Sequence, residues 1–314
     1  MPKDFRVTSI GTNDNFFELG GDSLKAAVVV AEVEKVFGQN IPLASLVEAS
    51  NIERLANFLV LESRKEQFTS LVPINPNGSK RPFFYIHGLP GYNLDIYSSL
   101  AHYIVRPFYG LQAVGVDGQK APYTRIENMV NYYIQVIQII QPESPYLLGG
   151  VCIGGNIAVE MAQELRKRRQ QVLLVVMVDS PNPFITEEEK TKLPNWYPQP
   201  PLIEKLINKG LNFNQVENIF RVWEANIQVI ANHRPQLYAD RVVYFSAQEK
   251  VMEKHRFEPM QANGWNSLVA GGIEFYKVPG SHLTMHFEPH VRVLAEKLNA
   301  CLEEVDGVLL PERR

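Results

Sequence analysis

The apolar residues Tyr146-Leu147-Leu148 run into Gly149-Gly150-Val151-Cys152-Ile153-Gly154-Gly155, and Asn156-Ile157-Ala158-Val159-Glu160-Met161-Ala162 follows. An apolar strand, a glycine-flanked residue and a helix make the layout of a nucleophile elbow, here with cysteine at its centre. Such a turn does three things for a thiol. It lifts the side chain above the carboxyl ends of the strands. It sets the backbone N–H of Ile153 beside any developing oxyanion. It also puts the sulfur at a helix N-terminus, whose dipole favours an anion. The bland alternative is a buried cysteine in a glycine-rich turn, since short motifs also recur by chance.

A nucleophilic thiol needs a base, and the base needs an orienting acid, in the chain order nucleophile, acid, histidine. Asp179 ends LLVVMVD, the most apolar run in the chain, directly after the elbow helix. A carboxylate there can reach an imidazole above the sheet, although DSPNP also reads as a simple turn. His282, in VPGSHLTM, stands just beyond the last apolar run, late in the chain. As base it would deprotonate Cys152 and later activate the accepting nucleophile, while Asp179 fixes its tautomer. His282, His286 and His290 recur every four residues, as zinc ligands on a helix do. Pro289 and the preceding glycine turn interrupt that face, and no Asp or Cys completes a ligand set, so no metal is expected. His87 in YIHGLPG reads as a structural residue at a strand end. Its turn should supply the second oxyanion donor, and because Pro90 has no N–H the donor is Leu89.

These residues need a scaffold. Short apolar runs at Phe83–Ile86, Phe108–Leu111, Tyr146–Leu148, Val172–Val178, Val242–Phe245 and Ile273–Val278 alternate with helical patterns, clearest at Ile126–Ile140, Asn156–Arg168 and Val216–Asn232. The alternation predicts an α/β fold with a parallel sheet covered by helices on both faces. Between Asp179 and Val242 it is interrupted by NPFITEEEKTKLPNWYPQPP and by helical segments around Leu202–Asn208 and Val216–Asn232. So long an insertion reads either as a lid, over residues 182–235, or as helical cover for the sheet. Residues 14–60 are a separate helical region, with apolar positions at Leu24, Ala27, Val28, Val30 and Val33, then Leu55, Phe58 and Leu59. The polar stretch from Glu62 to Thr69 resembles a linker.

Bulk composition narrows the partners. The 314 residues are 45% hydrophobic and 21% charged with net charge −3, so no basic field suggests nucleic acid. Val172–Val178 is far too short to span a bilayer, and MPKDFRVTS has no signal-peptide apolar region. Two cysteines, Cys152 and Cys301, make no disulfide framework, and a cytoplasmic location is expected.

Upstream, DNFFELGGDSL, continuing into FGQNIPLASLVEASNIERLANFL, closely resembles the modification site of a peptidyl or acyl carrier protein. The resemblance implies that Ser23 carries a 4′-phosphopantetheine arm, added by a phosphopantetheinyl transferase. PFFYIHGLPG, PYLLGGVCIGGNIAVEMAQEL, VDSP, FRVWEANIQVIANHRPQLY and VPGSHLTMHFEPHV resemble, in order, the terminal thioesterase domains of non-ribosomal peptide and polyketide synthases. That resemblance implies an α/β-hydrolase fold with a helical lid and the triad Cys152, Asp179 and His282. The implied organisation is a small all-α carrier domain at 1–63, a linker at 64–68 and a thioesterase domain at 69–314. The implied activity is release of a finished acyl or peptidyl thioester from upstream synthase modules, by macrocyclisation, aminolysis or hydrolysis. Two departures from the family matter. Most members have serine at the elbow, so a native thiol and a serine-to-cysteine trapping variant both fit. Carrier domains of this kind begin with a further helix, and MPKDFRVTSIGTN has no helical apolar stripe, so the carrier is expected to lack it. An editing thioesterase that clears stalled carriers is the enzymatic alternative, and a disabled carrier or docking module the non-enzymatic one.

Overall fold

The computed structural model describes residues 10–37, 46, 49–56, 58–59, 70–91, 94–182, 200–208, 211–249 and 262–308. The expected linker at 64–68 and the first part of the expected lid, 183–199, lie outside the described residues. The chain divides into two compact units, Met1–Thr69 and Ser70–Arg314.

In the first unit, residues 10–22 form turns that lead into α1 (Ser23–Phe37). The Asp22 side chain accepts the Lys25 N–H at 2.9 Å, capping the helix one residue before Ser23. Val33 and Leu59 are buried together, with Val29, Val30, Leu55 and Phe58 against them. Ala26 is also buried, whereas Ala27 and Val28 are exposed. The sequence pattern had placed Ala27 and Val28 on the inward face. A stripe through Ala26, Val30 and Val33 keeps the spacing of four and three that one helical face requires. The DNFF turn is tied back by Phe16 N–H to Ser50 O at 2.7 Å and by Asn15 Nδ2 to Ser50 Oγ at 3.1 Å.

The second unit is built on a seven-stranded sheet: β1 (Leu71–Asn75), β2 (Phe83–Ile86), β3 (Phe108–Leu111), β4 (Tyr146–Val151), β5 (Val172–Val178), β6 (Val242–Glu249) and β7 (Ile273–Ser281). The order is β1-β3-β2-β4-β5-β6-β7. All neighbours from β3 to β7 are parallel, and β1 runs antiparallel to β3. The sequence pattern omitted β1 because LVPIN is short and contains Pro73. An edge position, with a pairing irregularity between Pro73 and Asn75, is where a strand tolerates proline.

Among its described residues the unit also has helices α2 (Leu94–Ala101), α3 (Ile126–Ile140), α4 (Ile153–Lys167), α5 (Pro200–Asn208), α6 (Phe213–Asn232) and α7 (Val291–Val308). The central strands are apolar at every position because both faces are covered. Phe83, Tyr85, Leu147, Val176 and Phe245 pack with Leu294, Leu298 and Leu302 of α7 and with Leu100 of α2. The alternate residues, such as Leu148, Val175 and Met177, are equally buried, and α4 packs on β2, β4 and β5. Helices α5 and α6 come from the insertion between β5 and β6. Leu206, Val216 and Ile219 join them, and Asn212 and Gln215 form a reciprocal cap at the start of α6.

Candidate active site

Parallel strands bring their carboxyl ends to one edge, and that edge is where an open α/β sheet forms its sites. Val151 pairs with Val178 across β4 and β5, so the next residues, Cys152 and Asp179, leave the sheet side by side. His282 is the first residue after β7, and the turn after β2, which pairs with the other side of β4, contains His87 to Gly91.

Cys152 is the N-cap of α4 with φ 55° and ψ −128°, a backbone conformation L-residues rarely adopt. Two bonds hold it there: its N–H donates to Val178 O at 2.9 Å, and its carbonyl accepts the Gly155 N–H at 3.1 Å. The helix can start so abruptly because Gly154 lies flat against the end of β2. A Cβ at that position would stand 2.4 Å from Ile86 O and 2.6 Å from His87 O. The elbow and the turn after β2 are therefore in backbone contact. The thiol is buried, with 8% of the residue exposed.

Asp179, also at positive φ (45°), is buried and doubly held. Its N–H donates to Phe245 O at 2.7 Å, and its Oδ1 accepts from Ala247 N–H at 3.2 Å. Oδ2 is left for His282, whose Nδ1 donates to it at 2.8 Å. With Nδ1 so engaged, Nε2 is the nitrogen left available to Cys152. Burial alone would lower the His282 pKa. The hydrogen bonds and negative charge of Asp179 and Cys152 outweigh it and raise the value to about 9. One-fifth of the side chain is exposed, so the ring borders the space where a substrate would enter.

Two buried histidines, His87 and His286, have structural partners. His87 is buried, its Nδ1–H donating to Gly88 O at 2.7 Å and its Nε2 accepting from Tyr133 OH at 2.7 Å. Burial lowers its pKa to about 4, so it stays neutral. His286 is fully enclosed and bonded to Tyr85 OH at 2.9 Å, and burial lowers its pKa to about 3. Among the described residues no three His, Cys, Asp or Glu side chains gather as a metal site would require, and no helix is long and apolar enough to cross a membrane.

Two N–H groups at this edge of the sheet lack an acceptor among the described residues. As the first helical residue, Ile153 has no acceptor within α4. Nothing among the described residues accepts from Leu89 N–H either. The Leu89 carbonyl is occupied by the Asn226 side chain of α6, donating at 2.8 Å. The sequence reading missed Asn226. Its signal was a polar residue at an apolar-face position of the helix, between Val222 and Val229, where burial demands a partner.

In the first unit Ser23 opens α1, behind Gly20 (φ 91°) and Gly21, whose Cα packs directly over the Phe16 ring. Lys25 sits in the same turn and bonds Gly20 O at 3.0 Å. A helix start carrying a lysine suits a phosphate ester on Ser23, so these residues fit a phosphopantetheine group.

The model of the thioesterase domain family matches residues 81–302, and that of the phosphopantetheine attachment site matches residues 5–59. Malpinin synthetase of Mortierella alpina is 31% identical over 95% of this chain, which spans 4% of that protein. A dimodular nonribosomal peptide synthase of Bacillus subtilis is 26% identical over 95% of the chain, which spans 14% of it. The chain is thus a small fraction of the length of these relatives. Among solved structures, a four-domain nonribosomal peptide synthetase aligns over 96% of this chain and 25% of its own, with TM-score 0.62 and 23% identity. The NocB thioesterase domain, in covalent complex with a fluorophosphonate nocardicin G analogue, aligns over 74% of this chain and 99% of its own, with TM-score 0.60 and 22% identity. Both share the fold.

Proposed function

The chain belongs to the thioesterase family and carries a phosphopantetheine attachment domain ahead of its thioesterase domain, the pairing found in nonribosomal peptide and polyketide synthases, and on that premise we propose that it releases finished acyl or peptidyl chains through a covalent acyl-Cys152 intermediate. The observation that carries this reading is the convergence of Cys152 and His282 with Asp179, whose Oδ2 holds His282 Nδ1 at 2.8 Å.

Bound to Ser23, 4′-phosphopantetheine supplies the chain as a thioester on a long arm. His282 Nε2 takes the proton of Cys152 as Sγ attacks the thioester carbonyl. The N–H groups of Ile153 and Leu89 receive the oxygen's developing charge. As the bond to the arm's sulfur breaks, His282 gives its proton to that sulfur and becomes neutral. Nε2 then takes a proton from the acceptor (water, or a hydroxyl or amine of the chain itself) as the acceptor attacks. His282 passes that proton to Cys152 Sγ when the acyl group leaves. Asp179 keeps Nδ1 protonated throughout.

Exchange of one thioester for another costs little, so Cys152 keeps the acyl group activated in a way a serine ester would not. That favours macrocyclisation or aminolysis, with hydrolysis as the simplest outcome. Upstream synthase modules, a phosphopantetheinyl transferase and a reducing cytoplasm belong to the same proposal.

Incubation with acyl thioesters lacking an internal nucleophile should accumulate an acyl adduct on Cys152, visible by mass spectrometry and absent in Cys152→Ala. Cys152→Ser should still acylate but stall or hydrolyse. If the serine form instead turns over much faster with unchanged products, cysteine is a trapping replacement in a serine enzyme. An adduct that forms elsewhere would overturn the assignment.

A further inference from the structure

The inserted helix α6 reaches the turn after β2 with two side chains one helical turn apart. Val222 and Asn226 are 0% and 1% exposed. A Cβ on Gly91 (φ 79°) would stand 2.2 Å from Val222 Cγ1, so this glycine is what lets α6 lie on the turn. Asn226 Nδ2 then donates to the carbonyl of Leu89 at 2.8 Å.

The turn's remaining bonds define what that contact controls. Gly88 O accepts from His87 Nδ1 at 2.7 Å and from Gly91 N–H at 3.0 Å. A trans peptide is planar, with C=O and N–H pointing opposite ways, so fixing Gly88 O aims the Leu89 N–H away from His87. Pro90 fixes its own φ, and Gly91 O is held by Ala113 N–H at 2.7 Å. Leu89 O, by contrast, takes its partner from the inserted helix α6. Without it the Leu89–Pro90 peptide is untied from α6, and the Leu89 Cα that carries the donor N–H can shift within the turn.

We propose that Asn226 is a positioning residue for the oxyanion donor Leu89, so that acyl transfer requires α6 to be seated on this turn. This rests on the acyl-transfer reading above. The inserted helices then do more than cover the sheet: displacing α6 by the length of one hydrogen bond disables the oxyanion site while leaving Cys152 and His282 paired.

The chemistry of Cys152 supplies the test. Alkylation by iodoacetamide needs the thiol and His282 but develops no oxyanion, whereas acylation by an acyl N-acetylcysteamine thioester needs all three. In the full chain, Asn226→Leu and the near-isosteric Asn226→Asp, which both lack an N–H donor, should acylate ~10- to 100-fold more slowly while alkylating at about the unmodified rate. Unchanged acylation, or a parallel fall in both rates, would overturn the proposal, and the alkylation rate reports that the site is folded if one variant is damaged. Absence of acylation in the unmodified protein across a panel of acyl chains would instead overturn the acyl-transfer reading itself, and this inference with it.

Discussion

At the scale of single residues, His282 is the group on which both chemistry and stability turn. In the proposed mechanism it is the acid and base of both half-reactions, so His282→Ala should lose several powers of ten in thioester turnover. His102→Ala is the suitable control because His102 is exposed. His286 is a poor one: it is buried and bonded to Tyr85, so its removal would cost stability first. Protonation of His282 also has a stability consequence of definite sign. Its folded pKa of about 9 lies above the ordinary 6.5, so the charged ring is favoured in the folded state. That contribution is complete below pH ~6.5 and is lost as pH rises through about 9, with an upper bound on the order of 3 kcal/mol. Urea unfolding at pH 6.5 and pH 9 should show the loss in the unmodified protein and a flatter profile in His282→Ala. A profile unchanged by the substitution would assign the pH dependence elsewhere. The placement of Cys152, Asp179 and His282 at strand ends was legible in the sequence because each follows an apolar run. Asn226 was not, because its partner lies 137 residues away and their contact exists only once α6 crosses the turn.

At the scale of elements, the site depends on α4 starting tight against β2. Gly154→Ala would push a methyl group into Ile86 O and His87 O, both backbone atoms that cannot rotate away. The helix start or the β2 turn must shift, at a cost of ~1–3 kcal/mol, and the shift falls beside Ile153 and Leu89, the proposed oxyanion donors. Acylation of Cys152 should therefore fall further than alkylation, together with a lowered thermal midpoint. An alanine variant with unmodified acylation and midpoint would refute the close packing. The same elements show what periodicity can reveal. The pattern at Ile126–Ile140 gave the helix bounds, and the apolar runs gave the six strands β2 to β7, because strands buried on both faces need apolar residues throughout. The antiparallel β1 was illegible: an edge strand with one partner is short, and Pro73 disguised it.

At the scale of the whole molecule, the chain joins two units with complementary chemistry, one family of domain for carrying a thioester and one for cleaving it. Their covalent connection makes a kinetic prediction that neither unit makes alone. A phosphopantetheinyl transferase with coenzyme A should add one arm to the chain, and Ser23→Ala should abolish the addition. That variant should still acylate Cys152 from soluble thioesters, since the residues around the elbow all belong to the second unit. If the arm serves the thioesterase of its own chain, an acyl group loaded on it meets Cys152 at an effective concentration set by the tether. The transfer rate should then be independent of protein concentration. An editing enzyme that clears the carriers of other chains would show a rate rising in proportion to concentration, and mixing acyl-loaded Cys152→Ala chains with unloaded Ser23→Ala chains would transfer as efficiently as the intact protein. Modification that survives Ser23→Ala would move the attachment point. Concentration-dependent transfer would leave the arm on Ser23 and refute delivery within the chain.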